Sequence, residues 1–175
     1  MRNLRAVVTS LVALSLLLSL SPGQPLPALK GEFLSGKKAT LPDAARGKMA
    51  LYLIGFSYDS RFPVEAWAAR FKQDFLSHSG ITFFEVPVIG GLGMLGKPFI
   101  DSGMRRGTPA GFHENVLTVY GGVGPLRKAF ALKNEKHAVV VLCDRQGNVQ
   151  WSYEGPFDAN QYAALKTTID RHLSH

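Results

Sequence analysis

Apolar positions along the chain fall into two kinds of run. Unbroken blocks suit strands buried on both faces, and spaced stripes suit helices packed on one side. Met49 to Phe56 is an unbroken block, introduced by a Gly47-Lys48 turn. Polar residues then interrupt it, and Val64, Trp67, Ala68, Phe71 and Phe75 recur at helical spacing, which predicts a helix with one buried stripe. Asp59 or Ser60 is the expected acceptor for the free N–H groups at its start, and Pro63 suits its first turn. Ser77-His78-Ser79-Gly80 supplies a stop, Ile81 to Val86 reads as a second buried strand, and Pro87 is expected to end its pairing. Two such strands joined by a long helix form a βαβ unit, parallel and right-handed.

The flanking segments are less regular before this unit and more regular after it. Prolines give Gln24 to Leu29 an extended course, Glu32 to Leu41 reads as a hairpin turning at Ser35-Gly36-Lys37, and Leu41 to Lys48 is a turn or a single helical turn. Ile89 to Gly124 is rich in glycine and poorly periodic. Within it, Lys97 to Gly107 is expected to hold a short helix that Thr108-Pro109-Ala110-Gly111 breaks, and Leu117 to Tyr120 a short strand. Pro125 to Leu132 is expected to be a helix opened by its proline. Ala138 to Cys143 is a strand, Asp144 to Gly147 a turn, and Asn148 to Glu154 a strand with Val149, Trp151 and Tyr153 on one face. Asp158-x-x-Gln161 has the form of a capping box, ahead of a terminal helix whose inner face is Tyr162, Leu165, Ile169 and Leu173. The pattern is α/β: a central mixed sheet of about four or five strands flanked by helices.

The first residues change where this domain is expected to work. Arg2 and Arg5 precede the apolar stretch Ala6 to Leu20, and Ser21-Pro22-Gly23 offers small residues for cleavage. Met1 to Gly23 therefore reads as a Sec-type secretory leader, cut or kept as an N-terminal anchor, and 24–175 as one domain exported to the periplasm or the outer face of the membrane. Without Arg2 and Arg5 the formal charge falls from +7 to +5, with 18 basic against 13 acidic residues. That balance favours an acidic partner or peripheral contact with anionic lipid headgroups, and the scattered basic pairs resemble no nucleic-acid module. Cys143 is the single cysteine, so no intrachain disulfide can form, and its place at the end of an apolar run suits a buried, inert thiol.

Few motifs carry chemistry. Gly91-Leu92-Gly93-Met94-Leu95-Gly96-Lys97-Pro98 satisfies G-x-G-x-x-G and also G-x-x-x-x-G-K, but Pro98 stands where a P-loop needs a hydroxyl, and the dinucleotide form lacks a convincing helix directly after the glycines. A flexible glycine loop, or a small-ligand site, is the expectation. Gly55-Phe56-Ser57-Tyr58-Asp59 lacks the closing glycine of a nucleophile elbow, so Ser57 reads as a turn residue. His78, His113, His137, His172 and His175 show no metal-ligand spacing with Cys, Asp or Glu; neither a metal nor a cofactor is expected. Trp67 is expected in the core and Trp151 in the core or half-exposed.

Two segments carry resemblances. Phe33 to Lys48 (with Gly36-Lys37, Leu41-x-Asp43 and Gly47-Lys48), followed by the strand, resembles the entry to AhpC/TSA peroxiredoxins and TlpA-type thioredoxins. In those families the reactive cysteines fall where Asp59, Ser60, Arg61 and Phe62 stand, and a cis-proline falls at Ala138 or its neighbour His137. From Ile81 onward the chain more closely resembles the Atp10-like family of ATP synthase assembly factors. This rests on Ile81-Thr82-Phe83-Phe84-Glu85-Val86, Tyr120, the Arg127 region and Leu132-x-Asn134-x-x-x-Ala138 through Asp144-x-x-Gly147-x-Val149-Gln150-Trp151. Gln150 stands where that family usually has arginine. The resemblance implies a thioredoxin-like fold and a chaperone or assembly role on a membrane protein or complex, without thiol catalysis. Tyr58, Asp59, Ser60, Arg61, Arg127, Asn134 and Trp151 are the expected binding residues. The alternative is a thiol-dependent antioxidant or disulfide oxidoreductase using Cys143.

Overall fold

A computed structural model describes residues 20–174; the leader expected over Met1 to Gly23 lies, as far as residue 19, outside the described residues. The strands are β1 (Leu29–Phe33), β2 (Lys38–Leu41), β3 (Met49–Gly55), β4 (Ile81–Ile89), β5 (Leu117–Tyr120), β6 (Ala138–Cys143) and β7 (Val149–Gly155). The helices are α1 (Arg61–Phe75), α2 (Lys97–Gly107), α3 (Val123–Ala129) and α4 (Ala159–Leu173). All seven strands form one sheet in the order β2-β1-β5-β4-β3-β6-β7. The sheet exceeds the expected four or five strands because β1 pairs with β5, Glu32 opposite Thr118 and Phe33 opposite Leu117, which draws the hairpin into it.

β3 lies between β4, to which it is parallel, and β6, to which it is antiparallel. Every residue of β3 is buried, as an unbroken apolar block demands of a strand covered on both faces. Met49, Leu51 and Leu53 meet Trp67 and Phe71 of α1 and Leu165 of α4 on one face. Ala50, Tyr52 and Ile54 meet Phe84, Leu117 and Phe130 on the other, where Val123 and Leu126 of α3 pack against the same cluster. Asp158 accepts from the backbone N–H of Gln161 at 2.8 Å and opens α4, whose Tyr162, Leu165 and Ile169 are buried as the spacing predicts.

Several expectations are corrected. Pro87 does not end β4; it sits opposite Gly55 on the last parallel rung, and β4 continues to pair with β5 through Val88 and Ile89. β5 takes over as partner where β3 has ended. α3 starts at Val123, two residues ahead of its proline. Val149 does not share a face with Trp151 and Tyr153. Cys143 is opposite Val149 and Leu142 opposite Trp151, so Gln150 is an extra residue, a β-bulge. Val149 consequently joins the cluster under α3, while Trp151 and Tyr153 pack toward α1 and α4.

Residues just before β1 run along the outer side of β7. Gly23 donates to Val149 O at 2.7 Å, Val149 donates to Gln24 O at 2.8 Å, and Leu26 donates to Gly147 O at 3.0 Å. Gly147 has φ +88°, and a Cβ there would meet Pro42 Cγ at 2.7 Å, so this turn of the β6–β7 hairpin needs glycine on both counts.

Candidate functional site at the corner between β3 and α1

β3 runs its buried block into a tight turn before α1. Ser60 Oγ donates to Ser57 O at 2.7 Å and receives the Ser57 N–H at 3.1 Å, while Ser57 Oγ receives the Ser60 N–H at 3.2 Å. These reciprocal bonds spend the Ser60 hydroxyl inside the turn, where Ser60 is fully buried. A Cβ on Gly55 would meet Ser60 Oγ at 2.6 Å, so the lock also requires glycine at the strand end. Neither Asp59 nor Ser60 caps α1, contrary to expectation. Ser60 has helical φ −67° and ψ −12°, which turn its hydroxyl back toward Ser57 instead of forward over the first turn. Ser60 is thus a framework residue with no free polar atom to offer a ligand.

The outer layer of the corner is exposed. The Arg61 guanidinium lies 4.1 Å from the Tyr58 ring centroid and 4.5 Å from that of Phe62. Tyr58 is 73% and Phe62 56% exposed. Behind them stands the loop that leads into β6. Ser57 Oγ donates to Glu135 O at 2.7 Å, Lys136 pairs with Asp59 at 3.2 Å, and Arg127 pairs with Glu135. Asn134 shapes this loop through its Oδ1, which accepts from Lys136 N at 3.0 Å. Glu154 on β7 holds it from below, accepting from Lys133 N at 3.0 Å and Asn134 N at 2.8 Å, with His137 Nδ1 at 3.4 Å.

Of the seven expected site residues, Tyr58, Asp59 and Arg61 form the corner, and Arg127 and Asn134 join it through the β6 loop. Ser60 points inward. Trp151 does not join: its ring contacts are Trp67 at 6.1 Å and Tyr153 at 6.2 Å, in the aromatic cluster under α1 and α4. Ser57 is the turn residue the sequence predicts, and sequence reasoning missed Phe62, Glu135 and Lys136. The Ser57-x-x-Ser60 spacing at a strand-to-helix turn, and the charged run just before β6, were the available signals.

Cys143 lies at the other end of the sheet. Ala138 of β6 is opposite Gly55, whereas Cys143 is opposite Ala50, five residues along, or about 17 Å at strand rise. Its thiol is fully buried, and burial, with a further push from Asp144, raises its pKa to about 12.

In the glycine segment a 3-10 turn at Gly91–Met94 leads almost directly into α2, which occupies the expected Lys97–Gly107, so a helix does follow the glycines. The Lys97 ammonium nevertheless serves the fold. It lies 2.6 Å from Asp101 and 3.4 Å from Glu32, over the Tyr120 ring, while Tyr120 donates to Asp101 at 2.7 Å. A recess of about 400 Å³ between α1 and α4, lined by Arg70, Phe157 and Tyr162 among others, does not touch the corner. Nor does one of about 290 Å³ lined by Lys48, Phe75, His78 and Phe112. Among the described residues no three His, Cys, Asp or Glu side chains are grouped to hold a metal ion.

No family model matches the chain, and no curated protein matches it in sequence. Solved structures do match in shape. A candidate thiol:disulfide interchange protein DsbE from Chlorobium tepidum is 19% identical, with 89% of this chain and 99% of that one covered, at TM-score 0.59. The fold is thioredoxin-like. An exposed lipoprotein thioredoxin of Streptococcus pneumoniae matches at 15% identity over 82% of this chain and 99% of its own, TM-score 0.56. A peroxiredoxin-like protein of Aquifex aeolicus matches at 14% identity over 87% and 88%, TM-score 0.54. At such identities the likeness is one of fold, and it carries the thioredoxin-like half of the sequence resemblance without the Atp10-like half.

Proposed function

We propose that this is an exported thioredoxin-fold protein that acts by binding a protein partner at the β3–α1 corner, without thiol catalysis. The observation that carries the reading is the chemistry of that corner. Asp59 pairs with Lys136, Phe62 is exposed, and the cysteine lies about five residues along the sheet in the core. A disulfide exchanger needs a thiolate at the helix start, where the dipole and exposure favour it. A buried thiol with pKa near 12 is neither ionised nor reachable at neutral pH. What the corner does offer is an exposed Tyr58–Arg61–Phe62 stack beside Lys136 and Arg127. Aromatic residues and arginine in one patch are the composition of an interface centre.

The Atp10-like resemblance supports a chaperone or assembly role toward an integral membrane protein or complex. The leader-like N-terminus, and the exposed lipoprotein among similar folds, support the periplasm or extracytoplasmic face of the membrane. The test is a pull-down from envelope membranes with the wild type and an Asp59→Ala/Arg61→Ala variant. One membrane protein captured by the wild type and lost from the variant is expected; equal capture by both overturns the corner as the binding site. The alternative use of Cys143 as a redox thiol is tested in the same preparation. Insulin reduction or peroxide consumption by the wild type that disappears in Cys143→Ser would replace the binding reading.

A further inference from the structure

Helix α2 is built inside out. A surface helix ordinarily turns its apolar stripe to the core and its charges to water. Here the buried side carries Asp101, only 5% exposed, and the Lys97 that neutralises it. The outward stripe runs from Leu95, one turn ahead of Phe99, through Ser102 and Gly103 to Arg106. Leu95 is 83% and Phe99 80% exposed, the two most exposed large apolar side chains among the described residues. At the far end Arg106 donates to Ser102 Oγ on this same face, and Arg105 stands beside it, its Nε donating to Leu34 O.

The charge of the segment completes the pattern. Across residues 90–112 the ionisable groups are Lys97, Asp101, Arg105 and Arg106, and the acid among them is the buried one. The exposed charge of α2 itself is therefore wholly positive, and the first exposed acid beyond it, Glu114, accepts from Ser35 Oγ. Two large apolar side chains set beside exposed arginines, with no exposed carboxylate between them, fit an interface that is apolar at shallow depth and anionic at its surface.

We propose that Leu95, in the turn before α2, and Phe99, on α2, form a shallow membrane anchor that inserts both apolar side chains into an anionic lipid surface, with Arg105 and Arg106 at headgroup level. The site is separate from the β3–α1 corner and stands whether or not that corner binds a partner. It is a peripheral contact: no helix among the described residues is long and apolar enough to cross a membrane. Because the full chain also carries an apolar N-terminal stretch, the measurement must be local to α2. Full-length Phe99→Trp is mixed with vesicles of phosphatidylcholine and phosphatidylglycerol carrying brominated chains, and the wild-type emission from Trp67 and Trp151 is subtracted.

The expected result is a blue shift and bromine quenching of the new indole on the anionic vesicles, and neither on pure phosphatidylcholine. Adding Arg105→Gln/Arg106→Gln should demand roughly thirtyfold more anionic lipid for the same shift at low salt, about fivefold per arginine. Leu76→Trp places the probe on an exposed residue at the C-terminal end of α1 and should stay unquenched. Asp59→Ala/Arg61→Ala in the Phe99→Trp background should leave the shift unchanged, which separates this site from the corner. Quenching no greater at residue 99 than at residue 76 overturns the proposal. So does a concentration-dependent blue shift without lipid, which would make this face a contact between two copies of the chain.

Discussion

Two serines decide the shape of the corner, and their identity explains why it can persist without a disulfide. In the turn after β3 the Ser57 and Ser60 hydroxyls satisfy each other's backbone groups, and Ser57 also grips Glu135 O. Ser60→Ala would leave the Ser57 N–H without its partner and Ser57 O without its donor. In a turn this buried, that is expected to cost about 1–3 kcal/mol. Denaturant unfolding of the full chain checks it, and Ser60→Cys, which keeps a small donor, should lose less. Gly55→Ala should cost at least as much, because its Cβ would stand 2.6 Å from Ser60 Oγ. A result within experimental error of wild type for both would mean that the turn is held by packing alone. None of this was legible as a motif. The sequence shows a strand ending in polar residues, but hydroxyls face inward or outward according to backbone angles that residue type does not reveal.

At the scale of elements, strong periodicity and the pairing of sequence neighbours were readable, and long-range pairing and register were not. β3, α1 and α4 lie where their spacing places them, because each buries a face whose pattern is local, whereas α2 occupies its expected range with Asp101 as its buried residue. The bulge at Gln150 is different. Nothing local marks the extra residue, and its effect, sending Val149 to one side of the sheet and Trp151 to the other, depends on which residues of β6 stand opposite. The seven-strand sheet likewise follows from long-range pairing of β1 with β5. α2 owes its position to one buried carboxylate. Asp101 takes a hydrogen bond from Tyr120 and pairs with Lys97, which also reaches Glu32 on β1. Asp101→Asn keeps the shape but loses the charge, and is expected to cost about 1–3 kcal/mol. The loss should be concentrated in this helix, so hydrogen exchange should speed up in α2 while the β3, β4 and β6 amides stay protected. Uniform acceleration across the sheet would show instead that α2 is integral to the core.

For the molecule as a whole, the burial of Cys143 makes the fold sensitive to alkali. Burial first, and Asp144 second, raise the thiol to about 12, whereas an unfolded chain ionises its cysteine near about 8.5. Buried phenols shift the same way. Tyr52 is raised by burial and then by Cys143, and Tyr120 and Tyr162 by burial and then by their hydrogen-bonded aspartates. Phenols in the unfolded chain release their protons only near about pH 10. A group raised in the folded state lends stability that is complete below its unfolded pKa and is lost as pH climbs toward the folded one. Between roughly pH 8 and 10 the thiol is therefore the main contributor to a falling limb, with the tyrosines joining above it. Cys143→Ala is expected to begin less stable than wild type at neutral pH because it leaves a small cavity, yet to show a flatter profile from pH 8 to 10. Urea midpoints measured across that range decide the matter. A wild-type midpoint that stays level to pH 10, or an equally steep Cys143→Ala limb, would mean that the thiol is open to solvent in the native state. The binding reading of the corner would then lose its physical basis, since an accessible thiolate would be present after all.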